Sequence, residues 1–396
     1  MQTEIDGFGS EIAAAAGQVV RAFATGELEP HVDALEAGRE QPYDLMKALG
    51  EALGLAPFAE GLVEAANRPK EPGEKPAIHA GGDPSVLATV MKELTRVSPG
   101  FALSFGASIG LCGQTLLMQG TPEQRLRWAK PVLGLEKIGC WGLTEPESGS
   151  DAFSLKTTAK KVDGGWSLTG SKTFITNAPG ADVLVVYARL ETTGRIAGFV
   201  LERGMPGLSV STPFDKMGMR ASPTGAIFMD DVRVTREHLL GGNEEGAGRR
   251  GVVGTLLSER IALGAMALGI VERALELATN YAKERHQFGQ PIAQFQAVQL
   301  KLARIYAARE TIRALVERGL RLIRKGQPDL AFFCASKLTC SESATQAALD
   351  AVQVLGGYGY MREYRVEMLA RDAKLLEIGG GTSDIQLLNV ARELLK

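Results

Sequence analysis

Between Gly251 and Val271 the chain reads GVVGTLLSERIALGAMALGIV, and only Glu259 and Arg260 in it carry a charge. A stretch that apolar on every side predicts a central, buried helix. The residues that share a face with Glu259 are Val252, Thr255, Leu256, Ala262, Leu263 and Met266, all uncharged. A carboxylate there loses its hydration unless something specific holds it. Adjacent residues do not face each other on a helix, so Arg260 is not automatically its partner. Two readings are open. Either both charges reach counter-ions on other segments, or the apolar setting raises the Glu259 pKa and makes it a general base near neutral pH.

A second stretch, EIGGGTSDIQ (377–386), puts three glycines directly after the helical run MLARDAKLL. Glycine suits a backbone that must adopt a strained shape or approach a ligand closely. Such a turn offers backbone groups and space, and almost no side chains. Other chemistries have little support. The four histidines (His31, His79, His238, His286) do not cluster, and no serine sits in a nucleophile-elbow motif, so hydrolysis is not expected. Cys112, Cys140, Cys334 and Cys340 are scattered without metal-ligand spacing. That predicts no metal site, reduced thiols and a cytoplasmic protein. Gly246-Ala-Gly248-Arg-Arg-Gly251 matches G-x-G-x-x-G in form but follows Asn-Glu-Glu, outside any strand–helix alternation, and reads as a glycine-rich lead-in to a helix.

The elements that must position these residues fall into three blocks. A chain of 396 residues is too long for one ordinary core. Its 45% hydrophobic and 23% charged make-up is that of a globular protein, and a formal charge of −2 gives no electrostatic reason to expect nucleic acid. The acidic N-terminus lacks the basic start of a signal peptide, and the best membrane-span candidate is broken by Glu259 and Arg260, so no membrane association is expected. EIAAAAGQVVRAFATGEL, PYDLMKALGEALGL and PSVLATVMKELTRV predict helices, with a surface loop in NRPKEPGEKPAIHAGGDP. From about Cys140 the character changes: KTTAKKVDGGWSLTGSKTFIT reads as strand, Asp-Gly-Gly turn, strand, and ADVLVVYARL, AGFVLER, LSVSTPF and GAIFMDDVRV continue the short-strand pattern. After Glu244 long amphipathic helices return. The order predicts an α+β protein with domains at 1–139, 140–243 and 244–396.

Six stretches together resemble the acyl-CoA dehydrogenase flavoprotein family. They are GCWGLTEPESGSD, GSKTFITNA, KMGMRASPTGAIFMDDVRV, YAKERHQFGQPIAQFQAVQ, DAVQVLGGYGYMREY and RDAKLLEIGGGTSDIQ. The resemblance covers the last two thirds of the chain and implies a helical domain, a β domain and a C-terminal four-helix bundle. It implies FAD held between the last two domains, in a homotetramer whose neighbouring subunit completes the site. Trp141 to Ser150 match the segment around the isoalloxazine, with the backbone near Leu143 and Thr144 on its pyrimidine edge. Phe174 would lie against the ring and Thr176 near N5. Arg285, Phe288 and Gln296 match contacts to the pyrophosphate and adenosine. Gln353, Gly356 and Gly357, from the partner, and Thr382 with Asp384 match the remainder; Asp384 stands where the family has Gln or Glu.

Many members of the family carry their catalytic glutamate in Tyr-Glu-Gly-Thr, where this chain reads Gly379-Gly380-Gly381-Thr382. A minority, the isovaleryl-CoA type among them, place it on a helix just before an arginine, the position of Glu259. The resemblance therefore implies that Glu259 takes the α-proton of an acyl-CoA thioester while the β-hydride goes to flavin N5. The Gly380 N–H and a ribityl hydroxyl would stabilise the thioester oxygen. Ser150, Leu256, Arg260, Gly380 and Gly381 are the expected substrate contacts. Glu377, the rival acid, reads as a structural residue closing its helix.

Small residues at 379 and 380 suggest room for a branched or medium-chain acyl group. The arginine that holds a distal carboxylate in glutaryl-CoA dehydrogenase aligns near Ala102, which disfavours a dicarboxylic substrate. Electron-transfer flavoprotein is the implied acceptor. Rival readings are a dehydrogenase of carrier-protein thioesters, a flavin oxidase or desulfinase, and a DNA-associated flavoprotein.

Overall fold

The computed structural model describes residues 7–68, 82–244, 248–327 and 329–396; the side chains of 248–251 and 253–258 are outside the description. Most of the expected surface loop at 67–84, the start of the Gly246–Gly251 motif and the Leu256 side chain thus lie outside the described residues.

The N-terminal helices are α1 (Glu11–Phe23), α2 (Val32–Glu36), α3 (Tyr43–Ala52), α4 (Leu55–Asn67) and α5 (Pro84–Thr95). Then come α6 (Pro99–Gly106), α7 (Gln114–Gln119), α8 (Pro122–Gln124) and α9 (Lys130–Leu133). Their starts follow local chemistry: Asp83 caps α5 through Ser85 N–H (3.0 Å) with Pro84 in the first turn, and Ser98 caps α6 through Phe101 N–H (3.3 Å). Wider π-type turns at Ala107–Gly113 join α6 to α7 into one helix, Pro99–Gln119. It is long and apolar enough to cross a membrane, but more than half of it is buried against the rest of the fold, as in a core helix.

The central domain is built on β1 (Gly139–Gly142), β2 (Thr158–Val162), β3 (Gly165–Thr176), β4 (Val183–Leu190), β5 (Ile196–Glu202), β6 (Leu208–Val210) and β7 (Thr224–Val234). They pair in the order β1-β4-β2-β3-β7-β6, with β5 on β4. Gly164, at φ +76°, turns the chain from β2 into β3 as Asp-Gly-Gly implied. β1 lies parallel to β4 and had no strand signal; four residues are too few to show a period.

The C-terminal unit comprises α10 (Gly248–Glu284), a hairpin of β8 (His286–Gln287) and β9 (Gln290–Pro291), α11 (Gln296–Arg324), α12 (Leu330–Leu355), α13 (Val366–Ile378) and α14 (Ser383–Leu394). α10 is packed all round, as its apolar sequence requires. A Cβ on Gly319 of α11 would fall 2.1 Å from Ile261 Cδ1, and one on Gly269 would fall 2.4 Å from Lys92 O of α5. Arg96, just past α5, ties to the same helix through Glu272 (3.1 Å) and Glu276 (2.6 Å).

All three domains meet around Met217–Ala221. Met219 N–H donates to Asp372 Oδ1 of α13 at 2.5 Å, and Arg371 donates to Met217 O at 2.9 Å. On the other side, a Cβ on Gly100 of α6 would lie 3.0 Å from Ala221 N. This wedge anchors the middle of α13, which leads into the glycine turn.

The close approach at Gly269 sets a prediction. Gly269→Ala is expected to lose about 1–3 kcal/mol from overpacking against backbone. Gly61→Ala in α4, where a Cβ would meet nothing within 4 Å, is expected to be neutral or slightly stabilising. Urea unfolding of the two variants checks the contrast.

Candidate active site

Glu259 is partly buried on α10, and its Oε2 is shut off from solvent with no hydrogen-bond partner. Burial is the main influence on its acidity; Arg260 and Lys337 oppose it through space, and the carboxyl is pushed up to about 7. The open question is thereby answered against a tight ion pair. Arg260 itself is buried, with Nε and Nη1 unpartnered.

The glycine turn comes to this carboxyl. α13 ends at Gly379, whose N–H bonds Leu375 O at 2.8 Å, and Thr382 caps α14 through Ile385 N–H at 3.3 Å. Between them Gly380 and Gly381 adopt φ +64° and +91°, which side chains disfavour. A Cβ on Gly380 would stand 3.4 Å from Glu259 Oε2 and 2.9 Å from Leu263 Cδ1. The two positions at which a base was sought thus converge on one point. The same distances correct one expectation: the space freed at Gly380 is filled by Glu259 and Leu263, and only Gly379, with Leu375 atoms at 3.5 and 4.0 Å, leaves a gap.

Glu377 does not share this setting. It bonds Lys374 at 2.7 Å; burial would raise its pKa, but that bond and one from Thr345 hold it below the usual carboxylate range. It stays ionised and tied.

Trp141, Leu143 and Thr144 lie beside Phe174 and Thr176 because β1 and its continuation run next to β3. Thr173 N–H donates to Thr144 O at 3.0 Å. Buried Lys172 crosses between them, donating to Leu143 O (3.2 Å) and Glu145 Oε1 (2.7 Å). Burial lowers the Lys172 pKa to about 8, offset in part by Glu145. Glu145 also accepts from the Lys156 and Thr157 N–H groups, at 2.5 and 3.0 Å, so the segment is held from both ends. The pairing of β3 with β7 shifts register between Lys172 and Ile175, and there Phe174, at φ +57°, is turned outward and left 70% exposed. Trp141 packs edge-on against buried Tyr187, with ring centroids 5.3 Å apart, and Ser150 is exposed.

A separate exposed region gathers other expected residues. Arg285 lies 5.5 Å from the Tyr358 ring, Phe288 on the β8–β9 hairpin is 92% exposed, and Gln296 opens α11. Gln353, Gly356 and Gly357 are exposed at the end of α12; a Cβ on either glycine would meet nothing within 4 Å. Asp384 is exposed in the first turn of α14.

Two residues at the glycine turn escaped the sequence reading. Lys337 of α12, 1% exposed, donates to Gly381 O at 2.8 Å, and Gln386, fully buried, donates to Gly380 O (3.0 Å) and Gly381 O (2.9 Å). Lys337 had a signal: it is the one charge between Leu330 and Ser341, the same anomaly that exposed Glu259.

A buried, unpaired acid facing a bare glycine backbone within the C-terminal unit suits proton abstraction rather than hydrolysis. The comparisons agree. Residues 10–136, 140–232 and 246–395 match the N-terminal, middle and C-terminal domains of acyl-CoA dehydrogenase. The mitochondrial isovaleryl-CoA dehydrogenase of Oryza sativa subsp. japonica is 37% identical, over 95% of this chain and 90% of its own length. The structure of butyryl-CoA dehydrogenase from Megasphaera elsdenii is 34% identical, with a TM-score of 0.88 over 98% of this chain and 99% of that one. The FAD complex of PigA is 28% identical, with a TM-score of 0.85 over 97% and 98%. The chain belongs to the acyl-CoA dehydrogenase family.

The raised Glu259 pKa carries a stability consequence of fixed sign. Its folded value, about 7, lies above its ordinary value of 4.5, so stability present below 4.5 is lost as pH rises and the loss levels off above 7. Glu259→Gln is expected to match the wild type near pH 4.5 and to exceed it by about 2–3 kcal/mol near pH 8. Denaturant titrations at both pH values check this.

Proposed function

We propose that the chain dehydrogenates a branched or medium-chain acyl-CoA between Cα and Cβ, with Glu259 as the base for the α-proton. The carrying observation is that Glu259 Oε2, unpartnered and buried, lies 3.4 Å from where a side chain at Gly380 would begin. A carboxyl poised near neutrality can accept a proton at physiological pH without being held in an ion pair. The Gly380 N–H is the donor toward the thioester oxygen, where negative charge grows as the α-proton leaves. Arg260 and Gly381 line the same turn, and with Ser150 and Leu256 form the proposed acyl-CoA contacts. Gly379 leaves space that favours a branched chain, and Ala102, fully buried in α6, offers a distal carboxylate no cation.

FAD fits the residues present. The outward-turned Phe174 and the hydroxyl of Thr176 offer an apolar face and a polar contact to an isoalloxazine. Leu143 and Thr144 would contribute backbone, and Thr382 with Asp384 the contacts at the start of α14. Arg285, Phe288, Gln296, Gln353, Gly356 and Gly357 suit a pyrophosphate and adenosine, since open space at both glycines lets the backbone approach a phosphate. When bound, FAD supplies the acceptor for the Cβ hydride.

Exposed Phe288, Tyr358, Tyr360 and Met361 beside those glycines support a homotetramer in which a partner subunit completes the nucleotide site. Electron-transfer flavoprotein is the proposed electron acceptor, and neither membrane nor nucleic acid is a proposed partner.

Anaerobic mixing of the flavin-loaded protein with a panel of acyl-CoAs tests the reading. Bleaching is expected with branched or medium-chain thioesters. Glu259→Gln should bind FAD and ligand yet bleach at least about a hundredfold more slowly, whereas Glu377→Gln stays active. A fast Glu259→Gln variant rejects the base assignment.

A further inference from the structure

The glycine turn would be the least fixed part of this site if the backbone alone held it. Three successive glycines lose more conformational freedom on ordering than any other residues. Yet the carbonyls of Gly380 and Gly381 receive three hydrogen bonds, two from Gln386 Nε2 and one from Lys337 Nζ. Both donors are at most 1% exposed, so water cannot replace them.

A neutral donor could hold a carbonyl just as well. Burying an ammonium against a neutral acceptor is costly unless a charge elsewhere offsets it. The groups facing Lys337 are Glu259 and Arg260 of α10, Glu377 of α13 and Cys334 of its own helix. Glu377 already bonds Lys374. Glu259 is the acid left without a direct partner, and the charges acting on it are those of Arg260 and Lys337.

We propose that Lys337 and Gln386 are positioning residues for the dehydrogenation: together they lock the Gly380–Gly381 carbonyls so that the Gly380 N–H keeps its aim at the thioester oxygen, and the Lys337 ammonium helps set the charge state of Glu259. Neither touches the reacting carbons; each acts through the turn or through the base. The proposal rests on the reading of Glu259 as base. The two functions separate by residue, because Gln386 is neutral and Lys337 is not.

The test uses the flavin-loaded protein and two readouts. The first, without substrate, is the pH midpoint of the protonated-carboxyl infrared band assigned to Glu259 by its loss in Glu259→Gln. The second is the pH profile of flavin reduction by a substrate thioester. Lys337→Gln keeps a donor for Gly381 O but removes the charge; it should raise the infrared midpoint by about one pH unit and move the acid limb of the rate profile with it. Lys337→Met serves as a second charge-free variant should the first fail to fold. Gln386→Leu should leave the midpoint in place and lower the plateau rate about tenfold to a hundredfold. An unchanged midpoint in a folded Lys337 variant overturns the electrostatic role, and an unchanged plateau in Gln386→Leu overturns the clamp. If Glu259→Gln itself reduces flavin at the wild-type rate, the base assignment falls instead, and the infrared midpoint still reports whether Lys337 acts on that carboxyl.

Discussion

One point in space governs this structure: the place where the Glu259 carboxyl meets the bare backbone of Gly380. A Cβ at 380 would rest in ordinary contact with Oε2, at 3.4 Å, and would push on the tip of Leu263, at 2.9 Å, so a longer side chain would compete with the carboxyl for this space. The positive φ of Gly380 excludes most residues for a second, independent reason. Once the acid is delivered from α10, a small residue at 380 suits the space that remains, and the backbone conformation favours glycine. The triple glycine is then the complement of Glu259, not the trace of a lost function.

Keeping an unpaired acid buried demands a scaffold that neither floods nor collapses around it. α10 provides this by being packed on all sides, against α5 at Gly269 and against α11 at Gly319. The other half of the site hangs from a different domain contact. Asp372, fully buried with Oδ2 unpartnered, receives Met219 N–H and pins the β-domain loop to α13. Burial and the neighbouring Glu36 charge raise its pKa, against the opposing pull of Arg371. The wedge anchors the middle of α13, and the glycine turn follows at that helix's end.

Much of this was legible in the residues. The block order was visible because runs of helical and of strand period follow one another over long stretches, and Glu259 stood out because a charge in an apolar run needs either a counter-ion or a functional reason. What stayed hidden depends on tertiary contact. β1 gains its identity only from parallel pairing with β4. The β8–β9 hairpin has two-residue strands, below any periodic signal. Gln386 reads as an ordinary helix residue, and only the fold of α14 back onto the turn buries its amide. The vacancy inferred at Gly380 failed for a related reason. Removing a side chain from a sequence says nothing about which neighbour moves in.

The convergence of positions 259 and 380 also constrains how the base can behave. A glutamate on a turn at positive φ would gain its aim from a strained backbone, and any slack in the turn would move the acid. Glu259 instead rises from the middle of a 37-residue helix, so its root is fixed by packing on both sides. The turn is then relieved of carrying the acid and keeps the part that backbone can supply, an N–H group. Dividing the work this way transfers the demand for rigidity to whatever holds the turn, and among the described residues that is the amide of Gln386 and the ammonium of Lys337. A neutral clamp would have sufficed for the backbone. That one of its members carries a charge opposite to that of the neighbouring base ties the geometry of the turn to the proton affinity of the acid beside it.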